Sequence, residues 1–169
     1  MLNLPKEYKV SCIIDLGALL AGTTLKDEII PWLSNHKYFS SQRSFKGISF
    51  CHDNKWMAYQ FNRYEFVQRG LISDAETFVV FDQYRTRGSD MKMSHDITGV
   101  VSLSSFLNKD SLMQAAGRLR KIGRNQKIVF IITSEVKNNL VKSFGYHKKL
   151  SIKEKVKVIL NWVCINSMK

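Results

Sequence analysis

Three apolar runs in the second half of the chain leave little freedom of fold. Thr77-Phe78-Val79-Val80-Phe81, Gly99-Val100-Val101-Ser102-Leu103 and Lys127-Ile128-Val129-Phe130-Ile131-Ile132 are apolar almost throughout, without the in-and-out alternation of a half-wet strand. Strands of that kind are buried on both faces, the condition of a parallel sheet flanked by helices. Between the second and third runs, Asp110–Ile122 is rich in helix formers and closes at Gly123. Strand, helix, strand in that order predicts an α/β domain of three layers with a largely parallel sheet.

The rest of the chain reads around that unit. Val10–Ile14 is a short apolar run ending at Asp15 and Gly17, a buried strand entering a turn. Thr24, with Asp27 three residues on, predicts a capped helix through Trp32 and Leu33, broken or delayed by Pro31. The polar stretch 34–46 predicts a loop. Gly47–Cys51 and Lys55–Tyr59 flank His52-Asp53-Asn54, which predicts a β-hairpin. Ser134 is expected to cap a helix reaching Phe144 and ending at Gly145. Ser151 begins a C-terminal helix with two apolar stripes: Ile152, Val156, Ile159, Leu160 and Val163 on one side, Val158, Trp162 and Ile165 on the other. No internal repeat is present.

At 169 residues the chain is one domain, with a core expected at about 10–135 and a basic helical tail at 136–169. No apolar run approaches the roughly 20 residues that span a bilayer, and Met1–Lys9 has no signal-peptide core. No membrane association is therefore expected. Cys12, Cys51 and Cys164 are too far apart for a CxxC metal pair and odd in number. That usage predicts an intracellular protein, cytoplasmic or nuclear, with no metal site. The formal charge of +12 is lopsided: residues 1–108 hold 12 Lys/Arg against 11 Asp/Glu, residues 109–169 hold 14 against three. Such a field attracts nucleic acid, nucleotide phosphates or acidic partners. Lys148, Lys149, Lys153 and Lys157 are the candidate polyanion-binding residues, with a plain solvated basic face as the alternative.

The stretch richest in chemistry is Gln114-Ala115-Ala116-Gly117-Arg118-Leu119-Arg120-Lys121, preceded at a distance by Arg87-Gly88-Ser89-Asp90. On a continuous helix, residues 114, 118 and 121 share one face. Cations there neutralise charge that builds on a transferring phosphoryl group. Gly88 lets the backbone pass close to a ligand, and Asp90 orients a basic residue or a water. The two stretches resemble the Q-x-x-G-R-x-x-R and R-G-x-D segments in the second RecA-like lobe of superfamily 2 helicases. That resemblance implies a RecA-like, helicase-C-like domain at 1–169, with Arg87, Gly88, Asp90, Gln114, Arg118 and Lys121 facing a nucleotide. The sequence departs from the pattern at Lys121, which stands where the distal arginine belongs and lacks the planar fork of a guanidinium.

No phosphate loop accompanies these segments. Gly17-Ala18-Leu19-Leu20-Ala21-Gly22-Thr23 copies G-x-x-x-x-G, but Thr23 replaces the lysine, so a packed turn is expected. The chain is therefore expected to bind no cofactor alone, to be a fragment of a larger protein whose missing N-terminal part supplies the ATP and Mg²⁺ site, and to be inactive in isolation.

A longer resemblance runs over about residues 10–135. It rests on Ile13-Ile14-Asp15-Leu16-Gly17-Ala18-Leu19, Gly47-Ile48-Ser49-Phe50, Phe78-Val79-Val80-Phe81-Asp82-Gln83, Thr86–Asp90, and Val101-Ser102-Leu103 through Gln114, Arg118, Leu119, Arg120, Lys121, Gly123 and Gln126. These look like the C-terminal region of giant eukaryotic proteins with domains of unknown function, commonly catalogued as ubiquitinyl hydrolases, that is, thiol-dependent deubiquitinating proteases. The resemblance implies ubiquitin or nucleic acid as partners of the parent protein. No catalytic residue is assigned: Cys51 and His52 are strand neighbours pointing to opposite faces, and Cys12 lies in a buried strand. Three readings stand: a helicase-like lobe of a deubiquitinase-catalogued protein, the nucleotide- or nucleic-acid-binding half of a superfamily 2 ATPase, and a basic interaction module without chemistry.

Overall fold

The computed structural model describes residues 9–36, 39, 45–63, 65–68, 70–83 and 93–168. A mixed sheet of seven strands runs through the molecule in the order β4-β3-β2-β5-β1-β6-β7. Its members are β1 (Val10–Ile14), β2 (Gly47–His52), β3 (Lys55–Gln60), β4 (Glu65–Gln68), β5 (Thr77–Phe81), β6 (Thr98–Leu103) and β7 (Lys127–Ile132). The neighbours β2/β5, β5/β1, β1/β6 and β6/β7 are parallel, and β3 and β4 extend the sheet antiparallel. The three apolar runs are thus three of five parallel strands. Strands β5 and β6 are buried throughout, whereas β7, at the edge of the sheet, is only half-buried, so its expected burial on both faces does not hold. The expected hairpin is β2–β3, where Asp53 and Asn54 take positive φ of 46° and 61° and make the two-residue turn that a right-twisted pair favours.

Helices cover both faces. On one lie a wide helical turn at Leu25–Ile29 and α1 (Ile30–Ser34), packed with Phe39, Phe45, Ile48, Phe50 and Phe78. On the other lie α2 (Lys109–Ala116), α3 (Ser134–Phe144) and α4 (Ile152–Asn166) over Cys12, Ile14, Val79, Phe81, Val101 and Leu103. Val136, Leu140, Ile159, Trp162 and Val163 belong to that same buried cluster, so the basic tail supplies core as well as charge. Among the described residues, no helix is long and apolar enough to cross a membrane.

The first helix starts late, as Pro31 led one to expect: Glu28 and Ile29 N–H both donate to the Thr24 carbonyl, and Pro31 sits in the first turn of α1, where its missing N–H costs nothing. Other local expectations are corrected. Glu28, not Asp27, reaches back to the Thr24 N–H, at 2.8 Å. Thr133 rather than Ser134 caps α3, its hydroxyl accepting from Val136 N–H at 3.2 Å. Strand β4 was not expected. Much of the predicted loop at 34–46 lies outside the described residues. The buried seam of α4 combines Ile159 and Val163 from one predicted stripe with Trp162 from the other, while Ile152 and Leu160 face solvent. The Ser151 cap holds as expected, closing a capping box with Glu154, whose carboxyl the Ser151 hydroxyl and N–H keep below the usual range.

Cys12 is fully buried in β1, and burial pushes its thiol from 9.0 up to about 12. At pH 8 iodoacetamide should modify the exposed Cys164 in the native protein and leave Cys12 untouched until denaturant is added, as read by mass spectrometry. Because the folded value is the higher one, this thiol contributes stability that is full below the unfolded value near 9.0 and lost as pH rises toward about 12. Alkylation of Cys12 under native conditions would show that β1 opens locally.

Candidate functional site

All five parallel strands point the same way, so the sheet has an amino end and a carboxyl end. A cavity of about 610 Å³ opens at the amino end. Its walls come from the turn before β5 (Asp74), the segment before β6 (Ser94, His95), the turn after α2 (Arg118, Arg120, Lys121) and Gln126 before β7.

The early end of α2 builds this wall. The expected helix through Ile122 stops at Ala116. Gly117 N–H still donates to Met113, but Arg118 and Leu119 N–H donate three residues back, to Ala115 and Ala116. The tighter turn sends Leu119 into the core against Gly99, where a Cβ would come within 2.6 Å of Leu119 Cδ1. Burying a leucine is worth roughly 1.5–3 kcal/mol, more than the helical bonds given up. The shared helical face predicted for Gln114, Arg118 and Lys121 is thereby overturned. Arg118 and Lys121 reach the cavity, whereas Gln114 stays on the exposed surface of α2 and does not line it.

Lys121 is held at both ends. Its backbone N–H donates to Gln126 Oε1 at 2.8 Å, and its ammonium lies 2.6 Å from His95 Nδ1. An ammonium only donates, so Nδ1 accepts and the imidazole keeps its proton on Nε2. Gln126 in turn donates through Nε2 to the Ser94 carbonyl at 3.0 Å. Three cationic side chains and a donating imidazole, opposed by Asp74, make a wall suited to an oxyanion.

Arg87, Gly88 and Asp90 lie outside the described residues. Lys148 and Lys149, between α3 and α4, and Lys153 and Lys157, on α4, are all exposed. The motif readings passed over Arg120 and His95 as wall residues. Arg120 stood beside the motif, but only the broken helix brings it round to the cavity.

At the carboxyl end, the G-x-x-x-x-G turn is not the packed turn expected: Leu19 is 45% exposed and residues 21–24 face solvent, so the turn is held by hydrogen bonds to Asp15. Asp15 is 2% exposed and accepts from Leu19 N–H at 2.9 Å, Leu20 N–H at 2.8 Å and the Ser102 hydroxyl at 2.6 Å. The amides a phosphate would use are thus occupied by the chain's own carboxylate. Among the described residues no group of His, Cys, Asp and Glu has metal-binding geometry. Cys51 is buried in β2, and His52 Nε2 lies 3.4 Å from Asp53 rather than on the thiol.

The chain matches no protein-family model, no curated protein and no solved structure. The cavity's size suits a small-molecule ligand, and its cations suit phosphate or carboxylate oxygens.

Proposed function

We propose that the chain is a helicase-like RecA lobe, the half of a superfamily 2 ATPase design that offers cations to a nucleotide held mainly elsewhere. The parent protein would be one of the giant chains catalogued as thiol-dependent deubiquitinases, with ubiquitin or nucleic acid as its wider partner. One observation carries the reading: Arg118 and Lys121 converge on one cavity beside the segment that leads into β6, directly after the Arg87–Asp90 stretch. In the helicase arrangement the R-G-x-D and arginine segments serve a common ligand; Ser94 and His95, which follow Asp90 in sequence, line the same cavity as Arg118 and Lys121. Arg118 would neutralise terminal phosphate oxygens, with Lys121 adding a point charge in place of the second guanidinium. When present in the parent, ATP with Mg²⁺ would be cradled by the other lobe, because Asp15 already occupies the amides of the phosphate-loop-like turn after β1.

The purified chain is expected to bind a fluorescent ATP analogue weakly and to hydrolyse none. Arg118→Ala should weaken that binding about tenfold, the loss of one charge-assisted contact. Binding unchanged in Arg118→Ala would sink the reading. Hydrolysis abolished by the same substitution would show that the lobe is complete by itself.

The basic-module reading keeps one specific observation in its favour. Lys148, Lys149, Lys153 and Lys157 are all exposed and lie close together in sequence, on α4 and the turn before it. Binding of single-stranded oligonucleotide that keeps its salt dependence in Arg118→Ala, and loses it when Lys148, Lys149, Lys153 and Lys157 become alanine, would favour this second reading.

A further inference from the structure

The turn joining α2 to β7 is closed on itself. Arg124 and Gln126 N–H both donate to the Lys121 carbonyl, and Gly123, at φ +82°, donates to the Gln126 carbonyl. Those bonds shape the turn but do not fix where it sits. Its placement against the segment before β6 depends on side chains, and Gln126 is the buried one, at 6% exposure. Burying an amide is unfavourable unless both its ends are satisfied. Gln126 satisfies one on each segment, Oε1 on Lys121 N–H and Nε2 on the Ser94 carbonyl. The side chains borne by Lys121 and by His95, the neighbour of Ser94, then meet at 2.6 Å.

We infer that Gln126 is a positioning residue: it registers Lys121 against His95 and so makes the ammonium and the imidazole one rigid unit of the cavity wall. The inference rests on reading that cavity as anion-facing. Gln126 itself acts through Lys121 and His95. With Nδ1 committed to the ammonium, the imidazole is left with a donor only, as are Lys121 and Arg118. A wall of donors held in register discriminates an oxyanion from a neutral or cationic ligand, and a wall free to slide discriminates less. A leucine of similar size would fill the space but hold neither segment. A glutamate would hold Lys121 N–H and release Ser94.

The experiment compares the chain with Gln126→Leu and Gln126→Glu, reading the imidazole nitrogens by ¹⁵N NMR at about pH 8, where an ordinary imidazole is neutral. Far-UV circular dichroism checks the fold. In the native protein His95 is expected wholly in the Nε2–H tautomer. Both variants should shift His95 to the mixture of tautomers an unconstrained imidazole shows, and Lys121 amide protection should fall in Gln126→Leu alone. Pyrophosphate binding, followed by calorimetry, should weaken about tenfold in both, the loss typical when a ligand's outer support is removed. A native-like His95 spectrum in both variants overturns the inference whatever the binding does. If the native chain ignores pyrophosphate while the imidazole responds as expected, the anion reading of the cavity fails and the positioning role stands. Should Gln126→Leu fail to fold, the near-isosteric Gln126→Glu decides by the same spectrum.

Discussion

Trp162→Ala is expected to destabilise the protein by about 3–5 kcal/mol, the usual cost of deleting a fully buried aromatic and leaving a cavity. Trp162 is 1% exposed and belongs to the cluster joining α4 to the sheet through Val79, Phe81, Val101 and Leu103. Against a total stability of about 5–15 kcal/mol, that loss should lower the melting temperature by on the order of 10 °C. Leu160→Ala, two residues away on the same helix and 43% exposed, is the control and should cost less than about 1 kcal/mol. Urea unfolding of both variants decides the matter. Comparable losses would mean that α4 docks by a different face.

Asp15→Ala should cost about 3 kcal/mol. The carboxylate is buried and accepts from two backbone amides and a hydroxyl, and its removal strands all three donors where water reaches them poorly. Ser102 also accepts from Gly17 N–H at 2.8 Å, so the loss should spread from the turn after β1 into the end of β6. Asp15→Asn keeps one acceptor oxygen and should recover about half of the stability. Hydrogen exchange supplies the local readout: the Leu19 and Leu20 amides should lose protection in the alanine variant, while those of β7 keep it. Native protection at Leu19 and Leu20 would show that the turn is held by packing alone.

Both predictions concern places where sequence and structure divide the work differently. The aspartate after an apolar run, with glycine two residues on, marks a strand entering a turn, and that much is local chemistry. That its carboxylate faces inward onto its own loop depends on β6 arriving alongside with Ser102, a partner 87 residues away. The α4 periodicity shows two apolar stripes. Which side chains are buried is a matter of the angle at which α4 meets α2, α3 and the sheet, so the seam falls between the stripes and leaves Ile152 and Leu160 in solvent.

The candidate site divides the same way. Arg118 and Lys121 were legible as a cationic pair from spacing alone. Both line one cavity, but not by the shared helical face that spacing predicts, because the helix that was to align them ends at Ala116 once Leu119 finds its place over Gly99. Gln126 entered the sequence reading only as the last residue of the longer resemblance, with no role attached, and His95 is a lone histidine in a loop. Only the parallel pairing of β6 with β7 brings their segments side by side.

By itself, then, the sequence determined what is local: apolar runs without alternation that become strands of a largely parallel sheet, turns where Asp-Asn and Gly supply positive φ, caps at Ser151 and Gly145, and a charge imbalance concentrated after residue 108. Strand order, the choice of buried helix face, the early stop of α2 and the meeting of Lys121 with His95 were decided by the tertiary structure. Each is set by contacts between residues far apart in the chain, where the gain from burying a Leu119 or a Trp162 outweighs the fraction of a kcal/mol per residue that local preference supplies.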